Sequence, residues 1–505
     1  MKRCSIFIIS FLLSEVNTQA QQMTFSDYSK KDTRDIYFEI LGKFDSSYVI
    51  YKNIRQKHVL TKYDKNMHII ENIPLSFVPD RTFNIDFISY RDYCYMIYQY
   101  QRNSIIYCKA MKLNLSAKPV GEPVLLDTTK ISILADNKIY TTIVSEDKQR
   151  ILVYKRQFKN EVLTLATRLY NADLSLLDST RESVKFDDRK EVYSDLALGN
   201  NGYFLFAKET WKYKRKDNSS DLEVIVHKPG VDSFRNYKLK LGSKLIEEIV
   251  IKVDNLNKHY IINAFYYGQR RGSIEGLFTS LIDMNGEAPI RAAFNVFSDS
   301  LRYKLNSSDR SRFVFDNLVI RNTIVKKNGG FVVSAEDFYT ETLYNNAWNR
   351  QYYSNTLPYV NSYDYYLSNP YYYGYRPFDG TRRDESNRYY YDDVVVLSVD
   401  SSLKLEWNNI IHKTQYDVDN DNFLSFANMN AGGEVHFLFL DKDRQKQVIS
   451  NQSISPTGEV KRYPTLRSNE TGYGFMPRLA KQTGARQMII PCVYLSYIAF
   501  AKIDF

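Results

Sequence analysis

The sequence has 505 residues, of which 15% are aromatic, and a formal net charge of +10. This length exceeds what one hydrophobic core usually supports, so several domains or one large repeat fold are expected. With 42 tyrosines, 29 phenylalanines and only 20 glycines, the composition favours strands over helices. Four cysteines are too few for a scaffold built on disulfides.

Residues 1–20 have the pattern of a secretory signal peptide. Lys2 and Arg3 precede a short apolar run, and small residues ending at Ala20 supply a cleavage pattern. The apolar run is too short to span a bilayer, and no later segment is apolar enough to do so as a helix. We therefore predict an exported mature chain that does not span a membrane and is located in the periplasm or at the cell surface.

Short apolar–aromatic cores recur eight times along the rest of the chain. Five of the seven spacings between their starts fall between 47 and 57 residues, and the two longer spacings contain insertions. The cores are "YVIY" at Tyr48, "YMIY" at Tyr95, "ILVY" at Ile151, "YFLF" at Tyr203, "YIIN" at Tyr260, "FVVS" at Phe331, "FLFL" at Phe437 and "MIIP" at Met488.

Each core has the same local surroundings. A strand and a tight turn precede it, and a polar hairpin, a strand ending in an Asp or Asn turn, and a more polar strand follow it. Four short strands in about 50 residues are typical of a β-propeller blade, and we call them A to D from the innermost outward. Two smaller β-domains, or a transmembrane cylinder of strands, are the alternatives; the cylinder would need longer alternating strands than these cores provide.

The eighth unit contains strands A, B and C, ending in "YIAFAKIDF", but no strand D. An unpaired sheet edge is an aggregation hazard. We therefore expect the segment "MTFSDYSKKD", which starts at Met23, to supply the missing strand and close the ring. The predicted fold is all-β: a single propeller over residues 21–505 with eight four-stranded blades, or seven if the first or last unit is misread.

By the evenness of its repeats the chain resembles the β-propeller superfamily. More loosely, it is similar to the exported propeller-like proteins of bacteroidete-type cell envelopes, which carry Tyr-rich insertions. The resemblance covers nearly the whole mature chain, but no repeated Trp-Asp dipeptide, sialidase Asp box or kelch glycine pattern accompanies it. No functional residue can therefore be transferred from a family.

Sequence motifs for catalysis are scarce. The sequence contains no HExxH, Gly-x-Ser-x-Gly or CxxC motif, and its six histidines show no metal-ligand spacing. A pair of carboxylates in the central channel would support glycan cleavage, but the sequence does not indicate which two. We predict a protein that is not an enzyme, with a glycan-binding or glycan-cleaving propeller as the alternative.

A Tyr-rich insertion at residues 335–392, between strands B and C of unit six, is the first candidate binding segment. Tyrosine provides large, stiff contact area at low entropic cost and is enriched in interfaces, although the loop could instead cover the propeller's own surface. The candidate binding residues in it are Trp348, Tyr352, Tyr353, Tyr363, Tyr365, Tyr366, Tyr371, Tyr372, Tyr373, Arg376, Arg382 and Arg383.

Basic B–C hairpins form the second candidate. In a propeller these hairpins emerge on one face, which we call the B–C face, and a positive face would attract an anionic partner. An exported protein makes an acidic glycan or an envelope protein a more suitable partner than nucleic acid. The alternative is that Lys and Arg are ordinary hairpin-tip residues. The residues concerned are Lys52, Arg55, Lys57, Lys155, Arg156, Lys159, Trp211, Lys214, Arg215, Arg270 and Arg271.

The stretch "DVDNDN" is a weak candidate for calcium. Asp417, Asp419 and Asp421 have the spacing that lets a loop wrap a hard cation, but Asn422 and Asn428 replace the Gly and Glu of a complete EF-hand loop. A solvated acidic turn is the alternative, and no other cofactor is expected. Taken together, the sequence predicts an exported, non-catalytic binding or scaffold protein. Its basic, Tyr-rich face would engage an envelope partner within a surface or secretion assembly.

Overall fold

The computed structural model describes twelve stretches of the chain, and the predicted signal peptide lies outside them. The described residues are 22–79, 82–131, 139–187, 190–213, 218–268, 272–306, 317–342, 365–366, 387–418, 420–443, 446–466 and 472–505.

The described residues form eight antiparallel sheets, the eight blades predicted from the repeat. The first four blades follow one another along the chain after an N-terminal strand, β1 (Gln22–Phe25), that belongs to blade 8. Blade 1 consists of β2 (Tyr37–Phe44), β3 (Ser47–Ile54), β4 (Lys57–Tyr63) and β5 (Ile69–Pro74). Blade 2 consists of β6 (Thr82–Ser89), β7 (Tyr93–Arg102), β8 (Ile105–Asn114) and β9 (Pro119–Lys130). Blade 3 consists of β10 (Thr141–Val144), β11 (Arg150–Lys159), β12 (Val162–Asn171) and β13 (Leu176–Lys185). Blade 4 consists of β14 (Glu191–Tyr193), β15 (Ala197–Leu198), β16 (Phe204–Tyr213), β17 (Asn218–His227) and β18 (Phe234–Leu239).

The second half of the ring adds a short helix and the longest connection. Blade 5 consists of β19 (Leu245–Asp254), β20 (His259–Tyr267), β21 (Gly276–Asp283) and β22 (Arg291–Val296), followed by helix α1 (Asp299–Asn306). Blade 6 consists of β23 (Leu318–Val325), β24 (Phe331–Thr342), β26 (Asn387–Val399), β27 (Leu405–Ile411) and β28 (Gln415–Val418); β25 (Tyr365–Tyr366) pairs elsewhere. Blade 7 consists of β29 (Phe426–Ala431), β30 (Glu434–Asp443), β31 (Lys446–Ile454) and β32 (Val460–Arg462). Blade 8 consists of β33 (Tyr473–Phe475), β34 (Lys481–Gly484), β35 (Gln487–Tyr494) and β36 (Tyr497–Asp504), with the 3-10 helix Pro477–Leu479.

The eight apolar cores found in the sequence all fall on strand B of successive blades. They are runs rather than alternations because both faces of these strands are buried: Val49 and Ile50, neighbours in β3, both have no exposed surface. Each buried cluster lies between two consecutive blades. One packs Phe265 of blade 5 against Val395 of blade 6, and the last packs Phe500 of blade 8 with blade 1. The sheets therefore form a closed ring, and the eight-bladed propeller is confirmed.

The N-terminal strand completes blade 8, as predicted. Strand β1 pairs antiparallel with β36, with Met23 opposite Ile503 and Thr24 opposite Lys502. An ion pair then attaches the following segment to blade 1, because the Lys52 ammonium lies 2.8 Å from the Asp32 carboxylate and both side chains are almost fully buried. The Asp32 carbonyl also accepts from the amide of Ile498 at 2.6 Å. Residues from both ends of the chain thus join blades 8 and 1.

The C–D turns repeat one conformation around the ring. In five of the seven that the structure describes, an Asp or Asn begins the turn and the residue three positions later has a positive φ, as in Met67 (φ 64°) and Leu403 (φ 67°), both buried. In blades 4 and 7 the positive φ is at Gly230 and Gly458. The side chain of Asp400 accepts from the amides of Ser402 and Lys404, both at 2.8 Å. This confirms the Asp and Asn turns read from the sequence, and these turns share a face with the A–B turns, which we call the A–B face.

Helix is rare in the structure. The eight-residue α1 packs Leu301 and Leu305 into the cluster between blades 5 and 6. Within the stretches given above, the structure has no helix with the length and apolar character needed to cross a bilayer.

Candidate functional site

The Tyr-rich segment leaves blade 6 on the B–C face. Strands β24 and β26 pair with each other, so the connection comprises residues 343–386, narrower than the expected 335–392. Within it the structure describes only β25, which pairs with Gln157 and Phe158 of β11. Strand β12 pairs along the whole outer edge of β11. Strand β25 therefore pairs with the inner edge of β11, next to the part of that edge that β10 occupies and closer to the B–C turn. The candidates outside the described residues are Trp348, Tyr352, Tyr353, Tyr363, Tyr371, Tyr372, Tyr373, Arg376, Arg382 and Arg383, together with the side chains of Tyr365 and Tyr366.

Trp211 is the one further aromatic candidate that the structure describes. It is half-buried in β16, close to the B–C end of blade 4, and its amide donates to the carbonyl of Lys190 at 2.7 Å. It therefore lies on the side of the ring from which the Tyr-rich segment emerges. The neighbouring candidates Lys214, Arg215, Arg270 and Arg271 lie outside the described residues.

The expectation of a uniformly basic B–C face is wrong for three residues. Lys52 is buried against Asp32, and Lys155 lies 2.8 Å from the largely buried carboxylate of Asp127. Arg156 is only 7% exposed. Each of these side chains contacts a residue outside its own blade instead of extending into solvent. Among the described hairpin tips, the predicted residues Arg55, Lys57 and Lys159 are exposed, and so is Arg102, which was not predicted.

An aromatic cluster on blade 8, which we call the blade 8 aromatic cluster, was not predicted. The ring of Tyr473 stacks on Phe25 at 4.2 Å and on Tyr494 at 4.4 Å between centroids. Tyr28 stacks on Tyr497 at 5.3 Å and meets the edge of Tyr494 at 6.0 Å. Tyr28 is 37% exposed, and Phe25, Tyr473, Tyr494 and Tyr497 are half-buried. The cluster therefore offers aromatic area to a partner at the B–C end of the blade.

Leu495 lies at the tip of the B–C turn between Tyr494 and Tyr497. It is 74% exposed and has a φ of 58°, a conformation that costs a leucine energy and that Asn or Gly would adopt more easily. Neither stability nor solubility explains a leucine at this position. An exposed apolar side chain held in a strained turn, beside half-exposed tyrosines, is typical of a contact surface. The sequence signal was "VYLSY", a leucine flanked by aromatics at a hairpin turn.

A buried ionic cluster joins blades 6 and 7. Glu336 has no exposed surface, and its carboxylate lies 2.7 Å from the Lys413 ammonium and accepts from the Arg321 guanidinium at 2.8 Å. Ser425, just before blade 7, donates to the same carboxylate at 2.7 Å. Burial opposes ionisation of Glu336, but Lys413 and Arg321 outweigh it and hold the pKa of the carboxyl below its ordinary value. The cluster fixes the position of one blade against the next.

Three further carboxyls lie beside this cluster, where the pairing of β24 with β26 is irregular. Asp337 is 3% exposed, and burial together with Asp392 and Asp393 raises the pKa of its carboxyl well above the ordinary value. Burial also raises the pKa of Asp393, although His412 acts in the opposite direction. The raised pKa of Asp337 favours its protonated form, the form that a general acid needs. Its burial separates it from any substrate in the channel.

Two of the three candidate calcium residues lie among the residues that the structure describes. Asp417 lies in β28, Asp419 is outside the described residues, and Asp421 accepts from Arg478 at 2.7 Å and from the Tyr391 hydroxyl at 2.9 Å. Within the part of the chain that the structure describes, no group of three His, Cys, Asp or Glu side chains is placed to hold a metal ion. The calcium loop remains a prediction, and Asp421 serves as the partner of Arg478.

Comparison with known proteins gives weak structural likenesses only. No family model matches the chain, and no curated protein is similar to it. Prolyl oligopeptidase B from Galerina marginata is 9% identical over 92% of this chain, with a TM-score of 0.39, and this chain spans 57% of its length. The Synechocystis apocarotenoid oxygenase is 8% identical over 96% of this chain and 94% of its own, with a TM-score of 0.32.

An endo-arabinase from Bacteroides thetaiotaomicron is 12% identical over 55% of this chain and 99% of its own, with a TM-score of 0.22. Likeness at these levels says nothing of substrate or activity, because one fold hosts many unrelated functions. The assignment to the β-propeller class rests on the strand order and on the packing between blades.

Proposed function

We propose that the protein is an exported, non-catalytic binding or scaffold protein whose B–C face holds a partner in the cell envelope. The observation that carries this proposal is Leu495, 74% exposed at the tip of the turn that also carries Tyr494 and Tyr497 of the blade 8 aromatic cluster. Interface cores are enriched in such aromatic and aliphatic area. The Tyr-rich segment emerges on the same face, and the pattern of residues 1–20 supports export.

The charge of the B–C face supports an acidic partner. Arg55, Lys57, Arg102 and Lys159 are exposed at the tips of the first three blades, and the chain has a net charge of +10. Such charges steer and orient an anionic partner, whereas apolar contacts supply most of the affinity. An acidic protein surface or acidic glycan of the envelope therefore fits better than nucleic acid.

The test is affinity isolation from envelope fractions with matched variants. Leu495→Asp places a charge in the proposed contact, and deletion of residues 343–386 removes the Tyr-rich segment. Leu256→Asp is the control, because Leu256 is 63% exposed in an A–B turn on the opposite face. We expect the wild type and Leu256→Asp to capture the same partner, and the other two variants to lose it. Equal capture by Leu495→Asp would refute the proposal.

Glycan cleavage is the second candidate, favoured by the carboxyl of Asp337 beside Asp393, because burial raises the pKa of both groups. It requires the irregular strand pairing to open and admit a sugar. This candidate is supported if the wild type hydrolyses envelope polysaccharides and Asp337→Asn lowers the rate at least 100-fold without a change in fold. If the wild type captures its partner but releases no reducing ends from polysaccharides, glycan cleavage is excluded and only the binding function is supported.

A further inference from the structure

A cavity separates the outer parts of blades 3 and 4. Its volume is about 100 Å³ and it opens to solvent, so it holds the head of a small ligand, whose remaining chain would lie at the mouth. Leu163 and Leu165 of β12 line one wall, and Phe206 and Ile225 of blade 4 line the other. Apolar walls offer few partners to ordered water, so a hydrocarbon is the suitable occupant.

Arg156 brings a positive charge into this apolar cavity. It lines the cavity and is 7% exposed, and its two terminal nitrogens make only long hydrogen bonds, 3.3 Å to the Ser194 carbonyl and 3.4 Å to the Asp195 carboxylate. Its Nε is buried and has no hydrogen-bond partner among the described residues. A guanidinium stays charged at any physiological pH, and a buried donor without a partner is costly. Arg156 thus retains capacity for an anion.

The mouth of the cavity carries the opposite charge. Glu182 also lines the cavity but is exposed, so its carboxylate lies on the solvent side. A ligand with a second negative group at its far end would meet Glu182 and be repelled. The cavity therefore suits a molecule with one anionic end and an uncharged tail.

We propose that the cavity between blades 3 and 4 binds a small amphipathic monocarboxylate, with its carboxylate on Arg156 and its hydrocarbon body between Leu163, Leu165 and Ile225. A carboxylate matches the planar donor edge of a guanidinium and would satisfy the Nε of Arg156. Each methylene removed from water adds affinity, and a chain of about ten carbons is long enough to fill the cavity and to cover apolar side chains at its mouth. This site lies between two blades, and its small-molecule ligand is distinct from the partner proposed for the B–C face.

The experiment is calorimetric titration of the full chain with decanoate, decan-1-ol and decanedioate. We expect saturable binding of one decanoate, weaker binding of decanol and no binding of the diacid. Arg156→Met keeps a side chain of similar length and removes the charge. The affinity for decanoate should fall at least 10-fold, and the affinity for decanol should stay within about 3-fold of the wild-type value. Arg168→Met is the matched control, because Arg168 of the same blade pairs with Asp127 and should leave both affinities unchanged.

A second variant keeps the proposal testable if Arg156→Met fails to fold. Ile225→Trp fills the cavity from a half-buried position and keeps Arg156 in place, so it should abolish the binding of decanoate and decanol alike. The proposal is overturned if the wild type shows no saturable decanoate binding. It is equally overturned if Arg156→Met binds decanoate as tightly as the wild type, or if Ile225→Trp still binds it.

Discussion

The two faces of the ring use their turns differently. On the A–B face, side chains of one turn bond to the next: Asn200 accepts from the Asp147 amide at 3.1 Å, and Asn255 accepts from the Asn200 amide at 2.9 Å. Asn255 also donates to Glu146 at 2.7 Å. On the B–C face, Leu495 points into solvent from a strained turn, and one connection expands to residues 343–386.

This difference separates stability from recognition. Polar turns that bond to one another leave little capacity for a partner, whereas an apolar tip and a long insertion contribute little to the ring itself. Loops carried by a rigid scaffold are the usual location of binding residues. Loss of the polar contacts on the A–B face should therefore lower stability and leave binding unchanged, whereas loss of Leu495 or of the Tyr-rich segment should lower binding without lowering stability.

The largest effect on stability should come from the buried ionic cluster between blades 6 and 7, which belongs to neither face. Lys413→Met removes one cation from the buried Glu336 carboxylate and should lower the free energy of unfolding by roughly 3–5 kcal/mol, because a buried charge loses a partner. Guanidinium denaturation measures the change. The control is Lys190→Met, which removes an exposed ion pair with Asp187. It should lower the free energy of unfolding by less than about 1 kcal/mol. Equal costs would show that the cluster does not hold the blades together.

Asp337→Asn should change how stability depends on pH. The folded state raises the pKa of Asp337, so above about pH 4 it keeps a proton that the unfolded chain has released. Wild-type stability should therefore fall with rising pH from this source, by at most about 1.4 kcal/mol per pH unit, and the substitution removes that fall. Denaturation at pH 4.5, 6 and 7.5 should show that the free energy of unfolding of the variant increases relative to that of the wild type as pH rises. Parallel profiles would contradict this, and Asp232→Asn, at an exposed position, is the control.

Asn255→Ala tests the A–B face. The variant loses hydrogen bonds to the Asn200 amide and to Glu146, and the free energy of unfolding should fall by about 1 kcal/mol. Capture of the envelope partner should not change. Asn66→Ala, at an exposed position in another turn of this face, is the control and should have a smaller effect on stability. A loss of partner capture in Asn255→Ala would break the division between the faces.

Leu495→Asn tests whether Leu495 serves binding and not the fold. Of the four substitutions, it should change the free energy of unfolding least. Asn adopts a positive φ more readily than Leu, so the free energy of unfolding should rise by about 0.5 kcal/mol while partner capture falls. Gln56→Asn is the matched control, since Gln56 has a φ of 64° in the B–C turn of blade 1. It should give the same gain without loss of capture. Lower stability in Leu495→Asn would show that the leucine serves the fold.

The sequence was sufficient for the architecture because the signals were local. Apolar runs marked strand B of every blade, and Asp or Asn residues marked the C–D turns. The addition of an N-terminal strand to blade 8 followed from one missing strand and the cost of an open sheet edge, whereas the register, with Met23 opposite Ile503, did not follow from the sequence. The aromatic and polar character of each strand thus determined its place in the blade.

The site was less accessible from sequence because it depends on distant contacts. Lys52 and Arg156 looked like hairpin-tip residues, but the packing of blades buries both, beside Asp32 and Ser194 respectively. The carboxylate of Glu336 meets Ser425, 89 residues away along the chain. No local pattern indicates such partners, whereas "VYLSY" was a local signal for Leu495.

Ring closure by the N-terminal strand is the claim on which the two faces depend, and cysteine cross-linking tests it directly. Thr24 lies opposite Lys502, so Thr24→Cys with Lys502→Cys should form an intramolecular disulfide on mild oxidation, detected by mass spectrometry of the joined peptides. Thr24→Cys with Asp504→Cys is out of register by two residues and should form little. A cross-link in neither pair, or only between two molecules, would contradict the closed eight-bladed ring.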